Sequence, residues 1–420
     1  MGKIYSLAVI GVGSRGGDCY AGHCFRRPDR FKVVALCDVS QAKIDKYSAM
    51  YQIAKENCFL SEEEFFKEKR ADILCVSTLD KDHVRQAIAG LKLGYHILLE
   101  KPISDQKEEC EELLAAHRKY GGKVCVCHVL RYAPGFVKVG ELLDSGVIGK
   151  LITIEALEPV GYWHQAHSYV RGNWRRSEDT TPMILAKCCH DLDLLQYYAK
   201  SRCESVSSIG DLTFFKAENA PEGAAKRCLD CKYVDSCPYS AKNRYVRSWH
   251  DAGDPENSWP YNVITNQLPL TEAALTEAIE KGPYGRCVFY CDNDVVDHQI
   301  TQMQFENGVT ATLTMTAFSH SGSREMRFHG TYGEIRFDSG KNIIELRVFD
   351  QPVEVIDMAK LMDGGHSHGG GDEKLIETLY DILEGRATER TSLESSIESH
   401  LMGIAAEESR LRGGELIRIH

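Results

Sequence analysis

The chain has 420 residues, 43% of them hydrophobic and 26% charged, with a formal net charge of −11 at pH 7. That length exceeds one ordinary core and sets two domains as the default, while the composition is that of a soluble globular protein. The acidic balance argues against nucleic acid as the main partner, and no apolar run approaches the roughly 20 residues of a membrane span. The first apolar stretch reads as a strand rather than an export signal, and the sixteen cysteines, many inside apparent strands, read mostly as reduced thiols of a cytoplasmic protein.

Residues 4–10 form a short apolar run, followed by Gly11-Val12-Gly13-Ser14-Arg15-Gly16 and a segment of helical potential reaching Arg26. Strand, G-x-G-x-x-G, helix is the order a dinucleotide fingerprint needs. The first glycine permits a tight turn, the second lets a pyrophosphate approach bare backbone, and the third lets helix pack on strand. A second apolar run, 31–37, ends in Asp38. An acid at that point can accept the adenosine ribose hydroxyls and repels a 2′-phosphate, which favours NAD over NADP; it can equally cap the helix that follows. Further strands are expected at 72–76, 95–99 and 123–127, with helices at 42–51, 82–91 and 104–120. Alternation of this kind implies a parallel sheet whose ligands sit beyond the strands' carboxyl ends. Those ends are Gly11, Asp38, Ser77-Thr78 and Glu100-Lys101-Pro102, all on one rim. Lys101 there is either a solvated strand-end lysine or a group that bonds a substrate hydroxyl and shares in proton transfer.

Gly11 to Gly16, Asp38, Ser77-Thr78 with Asp82-His83, and Glu100-Lys101-Pro102, in this order and spacing, resemble the glucose–fructose oxidoreductase/inositol dehydrogenase (Gfo/Idh/MocA) family. The resemblance implies an NAD(P)-binding Rossmann domain, 1–128, followed by an α/β domain, 129–420, on a large, open, mainly antiparallel sheet. It implies Lys101 in the catalytic site and Glu100 ordering the nicotinamide region. Cofactor contacts are expected from Gly11, Gly13, Ser14, Arg15, Gly16, Asp38, Ser77, Thr78, His83, Glu100 and Lys101, joined by Arg131 and Trp174 from the second half. Arg131 is either a linker residue or points into the crevice.

Residues 161–176 concentrate Tyr162, Trp163, His164, His167, Tyr169, Arg171, Trp174 and Arg175. Aromatic faces stack on sugars and Arg and His bond hydroxyls, so His164 and Arg171 are candidate substrate contacts, against the alternative of a loop packed by its aromatics. Lys187-Cys188-Cys189-His190-Asp191-Leu192-Asp193 is expected inside one helix, 183–198, with Lys187 and His190 on neighbouring parts of a face and Asp193 ordering the His190 ring. His190-x-x-Asp193 resembles the family's active-site helix. Many members carry Asp four residues before this His; here Ala186 stands there, with Lys187 next to it, which opens the proton route and suits an alkoxide or acidic substrate.

Residues 216–290 read as an insertion with little core of its own. Cys228-x-x-Cys231 with Cys237 and Cys291 offers a thiolate set for a structural zinc, against free thiols or a redox pair. From 295 onward, alternation predicts an antiparallel sheet with one open face, and the family likewise oligomerises through it, implying a homodimer or homotetramer. A glycine-rich loop, 364–371, brings His368 to the substrate rim or serves as a hinge. The leading expectation is an NAD-dependent oxidoreductase acting on a secondary hydroxyl of a sugar, cyclitol or sugar derivative through Lys101, His190 and Lys187. The alternative is a redox-neutral glycosidase using the same site.

Overall fold

The computed structural model describes residues 2–361 and 367–420. Six strands form the first sheet: β1 Tyr5–Ile10, β2 Phe31–Cys37, β3 Cys58–Phe59, β4 Ile73–Val76, β5 His96–Leu99 and β6 Val124–Val126. Their order is β3-β2-β1-β4-β5-β6 and every pairing is parallel. Strand order reverses between β1 and β4, the switch point where nucleotides bind. Backbone bonds carry the ladder up to the rim: Gly11 N–H donates to the Cys37 carbonyl (2.8 Å), Ser77 N–H to Ile10 (2.9 Å) and Glu100 N–H to Val76 (2.8 Å). The two residues of β3 are too short a run to show a period, which is why the sequence revealed five strands.

The second sheet has nine strands: β7 Leu151–Pro159, β8 Cys203–Asp211, β9 His298–Phe305, β10 Thr310–Thr316, β11 Glu325–Gly330, β12 Gly333–Asp338, β13 Ile343–Val348, β14 Glu354–Asp357 and β15 Ile417–Arg418. Their order is β14-β13-β12-β11-β7-β10-β9-β8-β15, antiparallel except for β7 against β10. Alternation sorts the faces: Met303 and Phe305 of β9 enter the core while Gln302 and Gln304 remain exposed. The serine-rich β8 carries no such clean alternation and escaped the sequence reading.

Two later helices tie the domains together. Gly371–Leu383 sends Leu375, Ile376 and Leu379 into the core of the first sheet. Leu393–Leu411 gives Leu393, Ile397 and Leu401 to that sheet's other face, and Met402, Ala405 and Ala406 to the core of the second domain. Two expectations need correction. Residues 183–198 are not one helix: Met183–Ala186 ends at Lys187, and Cys189–Ala199 starts anew from Cys188. The insertion does have a core, in which Tyr245, Trp249, Tyr261, Leu275 and Tyr284 pack together.

Candidate functional site

The fingerprint loop is held by contacts that only glycine permits at two positions. A Cβ on Gly11, whose φ is +85°, would meet the backbone of Ser77 and Thr78; one on Gly16 would meet Ser77 Oγ and the Gly11 carbonyl. Gly13 faces open space, with nothing among the described residues within 4 Å of such a Cβ. Behind it the chain winds as a π-helix, Ser14–Ala21, before an α-turn, Gly22–Arg26. Asp38 accepts from Val12 N–H (2.9 Å) and Ser40 N–H (2.9 Å), so it fixes the loop and the turn into the next helix together. Lys43 Nζ stands 3.7 Å from it. An open backbone cradle beside a buried carboxylate at a switch point fits the phosphates and ribose of a dinucleotide. Ser77 Oγ donates to the Gly11 carbonyl (2.9 Å), and Thr78 Oγ1 to Gln86 (2.7 Å).

Arg15 faces inward. Its guanidinium meets Glu100 (2.7 Å), Asp372 (2.6 Å) and the Tyr20 hydroxyl, and that hydroxyl in turn bonds Glu100. Glu100 also accepts from Lys101 N–H (2.9 Å). Burial works against the ionised Glu100, yet Arg15 and Lys101 prevail and hold its carboxyl below the usual range. Asp372, at the start of the helix Gly371–Leu383, is lowered against its own burial, chiefly by Arg15 and then by a bond from His368 (2.9 Å). His368 has φ +50° and puts its ring 6.0 Å from His190; Gly364 to His366 lie outside the described residues. His83 bridges the carbonyls of Pro102 (2.7 Å) and Thr78 (3.2 Å), joining two rim turns rather than facing a ligand.

The helix break gives Ala186 its role. The last turn of a helix leaves carbonyls without intrahelical donors, and Lys101 Nζ donates to the Ala186 carbonyl at 3.2 Å. Where the family resemblance implies an aspartate side chain, the chain supplies a backbone oxygen. His190 follows one turn later, 6% exposed, and burial plus the charges of Lys101 and Arg324 hold its imidazole well below the ordinary range. Its Nδ1 has no partner among the described residues. Asp193 does not order this ring. It pairs with Arg131 (3.5 Å) beneath the helix, and burial lifts its carboxyl to about 6. Arg131 also lies 3.9 Å over the Tyr197 ring and donates to the Arg390 carbonyl, so its side chain packs domain elements and leaves the crevice.

Lys187 belongs to a buried ion set that spacing could not reveal. Its Nζ is 3.3 Å from Glu158 at the end of β7. Arg324 contacts Glu158 (2.8 Å) and forks onto Asp191 at 2.7 and 3.1 Å. Burial raises Asp191 to about 6 despite that fork. Glu158, Asp191 and Arg324 come from three separate elements, and only Asp191 adjoins a motif.

Trp174 Nε1 and Thr181 Oγ1 both donate to Asp80 (3.1 and 2.8 Å), fastening the second domain to the loop after β4. His164 stacks on Trp163 (5.4 Å) and meets Trp259 edge-on (5.3 Å); burial, then Lys187, Lys101 and Arg244, keep it neutral. Trp259 arrives from the insertion. Its neighbours Asn257 and Asn262 reach back to Asp18 (3.2 and 3.1 Å), and Lys46 bonds Asn257 (3.2 Å), so the insertion straps across to the helix behind the fingerprint. Arg171 is buried with its donors on the Arg286 and Tyr239 carbonyls (both 2.7 Å) and Cys228 Sγ (3.4 Å).

The zinc set does not assemble. Among the described residues no three His, Cys, Asp or Glu side chains converge as a metal site. Cys228 is engaged by Arg171, and Cys291 turns its thiol to the Cys287 carbonyl (3.3 Å), so the fold already occupies two of the four thiols. Burial pushes the thiols of Cys237 and Cys291 up, away from thiolate.

Residues 5–128 match the oxidoreductase family, NAD-binding Rossmann fold, and residues 140–415 match its C-terminal alpha/beta domain. "Putative oxidoreductase YteT" of Bacillus subtilis is 23% identical over 349 residues, 77% of each chain. Inositol 2-dehydrogenase of Salmonella typhimurium is 25% identical over 151 residues, 35% of this chain and 43% of that protein. A glycosyl hydrolase family 109 protein of Solibacter usitatus is 25% identical over 283 residues, 61% of this chain and 63% of that one. In fold, an Agrobacterium radiobacter oxidoreductase solved with NAD+, L-tartaric acid and magnesium superposes with a TM-score of 0.70 over 99% of both chains at 13% identity. With both domains matched and both sheets in place, the chain belongs to the Gfo/Idh/MocA oxidoreductase family and is an NAD(P)-dependent enzyme of that family.

Proposed function

We propose that this protein is an NAD-dependent oxidoreductase that moves a hydride between nicotinamide and a secondary hydroxyl of a sugar, cyclitol or sugar derivative. The observation that carries the reading is Lys101, held on the Ala186 carbonyl at the cofactor rim, within electrostatic reach of a neutral His190. Gly11 to Gly16, Asp38 and the Ser77-Thr78 turn would hold the dinucleotide. Bound nicotinamide supplies the hydride acceptor or donor. Lys101 hydrogen-bonds the reacting hydroxyl and stabilises the developing alkoxide, while His190 takes or returns its proton. Lys187 is paired to Glu158 on the substrate side. The Asp38 carboxylate supports NAD over NADP, because a 2′-phosphate would meet its charge. Sixteen free thiols fit a reducing cytoplasm, and the open face of the nine-stranded sheet is the surface for pairing into a dimer or tetramer.

A second reading has its own support. The Asn257 and Asn262 strap onto Asp18 crosses beside the fingerprint and would slow exchange of a bound dinucleotide. An enzyme that keeps its cofactor suits redox-neutral chemistry. A sugar hydroxyl is oxidised to a ketone, the acidified neighbouring C–H loses its proton as the glycosidic C–O bond breaks and the aglycone leaves, water adds to the double bond so formed, and return of the hydride reduces the ketone. Similarity to a glycosyl hydrolase family 109 protein points the same way. Sugars, inositols and aryl glycosides assayed side by side, with NADH and released aglycone both followed, decide. Stoichiometric NADH establishes the first reading and aglycone without NADH the second. Tight NAD binding with neither product overturns both.

A further inference from the structure

Between the 161–171 segment and the insertion lies a cavity of about 130 Å³, walled by Trp163, Arg171, Asn243, Arg244 and Tyr239. Two guanidinium groups line it and, among the described residues, no carboxylate does, in a chain whose net charge is −11. The two arginines differ. Arg171 donates from Nε and one Nη to two carbonyls and a thiol. Arg244 lies 3.9 Å over the Trp163 ring, its Nε is buried, and among the described residues its guanidinium has neither a hydrogen-bond acceptor nor a carboxylate partner. A partly desolvated guanidinium without a counter-charge is costly and is retained where something else completes it. Stacking on Trp163 fixes the plane of its fork, which matches a carboxylate's two oxygens.

His164 is the side chain between the cavity wall at Trp163 and the electrostatic reach of Lys101 and Lys187. His164 stacks on Trp163, and it feels the charges of Lys187 and Lys101 as well as that of Arg244. Lys101 is bonded to a backbone carbonyl and Lys187 is matched by Glu158, so Arg244 is the cation of this group left without an acceptor among the described residues. At about 30 Å³ per water, the cavity has room for roughly four waters or a carboxylate with its adjoining carbons.

We propose that Arg244 is a specificity-determining residue of the substrate site and that the substrate is an acidic sugar whose carboxylate enters this cavity. The proposal rests on the reading of Lys101 and His190 as the reacting end. The test is equilibrium binding to the full-length, NAD-loaded protein. The probes are glucuronate against glucose, galacturonate against galactose, and N-acetylneuraminate against N-acetylmannosamine, with galactose 6-phosphate and galactose 6-sulfate as further arms. At least one acid is expected to bind tenfold or more tighter than its neutral counterpart. Arg244→Met should remove that preference, a loss of about tenfold to a hundredfold for a charge-assisted pair, while neutral-sugar binding and thermal unfolding stay unchanged. Arg244→Lys should restore part of it. The proposal is overturned if no acid outruns its neutral partner, if Arg244→Met weakens acid and neutral sugars alike, or if the phosphate or sulfate ester is preferred to every carboxylate. Lys101-dependent NADH formation from neutral sugars alone would overturn it and leave the proposed function standing. Arg244-dependent acid binding without NADH or aglycone would do the reverse.

Discussion

The cofactor half of the cleft and the substrate half are specified by different means. Around the fingerprint, short stretches of backbone decide the geometry: Gly11 and Gly16 leave no space for a side chain, and the rim turns hang from consecutive strand ends. Opposite, side chains from distant segments decide it. Glu158, Lys187, Asp191 and Arg324 meet from β7, a helix break, a second helix and the turn before β11. The first half can be found from local motifs and tolerates little change in its own residues. The second can be retuned by a single charge anywhere in the set, and the insertion brings Trp259 against His164.

The sharpest break of that contrast is Lys101→Met. Removing the ammonium should lower kcat by about 10² to 10⁴ while NAD affinity, measured by fluorescence titration, stays within a few fold. A parallel loss of NAD binding would mean that Lys101 belongs to the cofactor half. Next is Arg324→Leu, which strands the buried Glu158 and Asp191 carboxylates together. Loss of one partner of a buried pair costs about 3–5 kcal/mol, to be read as a fall in denaturant midpoint. A change under about 1 kcal/mol would show the ion set to be solvated and the substrate half less cooperative than drawn.

The same contrast explains what the sequence disclosed. Five strands of the parallel sheet, the four rim turns and Lys101 follow from hydrophobic runs punctuated by glycine and proline, which act over a few residues. Ala186 looked like a missing carboxylate because its backbone oxygen has no signature; only the helix break at Lys187 makes it an acceptor for Lys101. Asp193 and Arg131 were each given roles near His190 or the crevice, yet long-range packing pairs them with each other. The four cysteines had plausible spacing, but spacing does not say where Sγ points, and Arg171 and the Cys287 carbonyl take two of them. Trp259 and Arg244 sit in the insertion without a motif, and a local pattern had no means of marking them.

Acid lability probes the seam between the halves. His128 and His400 are fully buried, their rings 5.6 Å apart, and burial brings both to about 3. For His400, Ile103 N–H donates to Nε2 (2.8 Å) and Nδ1 faces the Ser396 carbonyl (2.6 Å). His128 has no partner on either nitrogen among the described residues. Groups neutral in the fold and charged in the unfolded chain contribute stability that is present above about pH 6.5 and lost as pH falls towards 3. Asp191 and Asp193, raised to about 6, oppose this by favouring the fold as pH drops through that value. His128→Phe should therefore lower the pH of acid unfolding, by an amount worth up to a few kcal/mol near pH 4. An unchanged midpoint in a circular-dichroism pH titration would remove His128 from the account.

The smallest expected change in stability comes from Gly13→Ala, and it isolates the cofactor half. Among the described residues nothing lies within 4 Å of the added methyl, and Gly13 has φ −82°, which alanine adopts without strain. Thermal unfolding of the protein without cofactor should hardly move. NAD affinity should nonetheless drop by about tenfold or more, because the methyl occupies the space where a pyrophosphate approaches bare backbone. Gly16→Ala offers the contrast: its methyl meets Ser77 Oγ and the Gly11 carbonyl, so stability and binding should fall together. If Gly13→Ala binds NAD as the parent does, the open side of the loop is not the phosphate site. The cofactor half would then have to be rebuilt around the π-helical turn behind it.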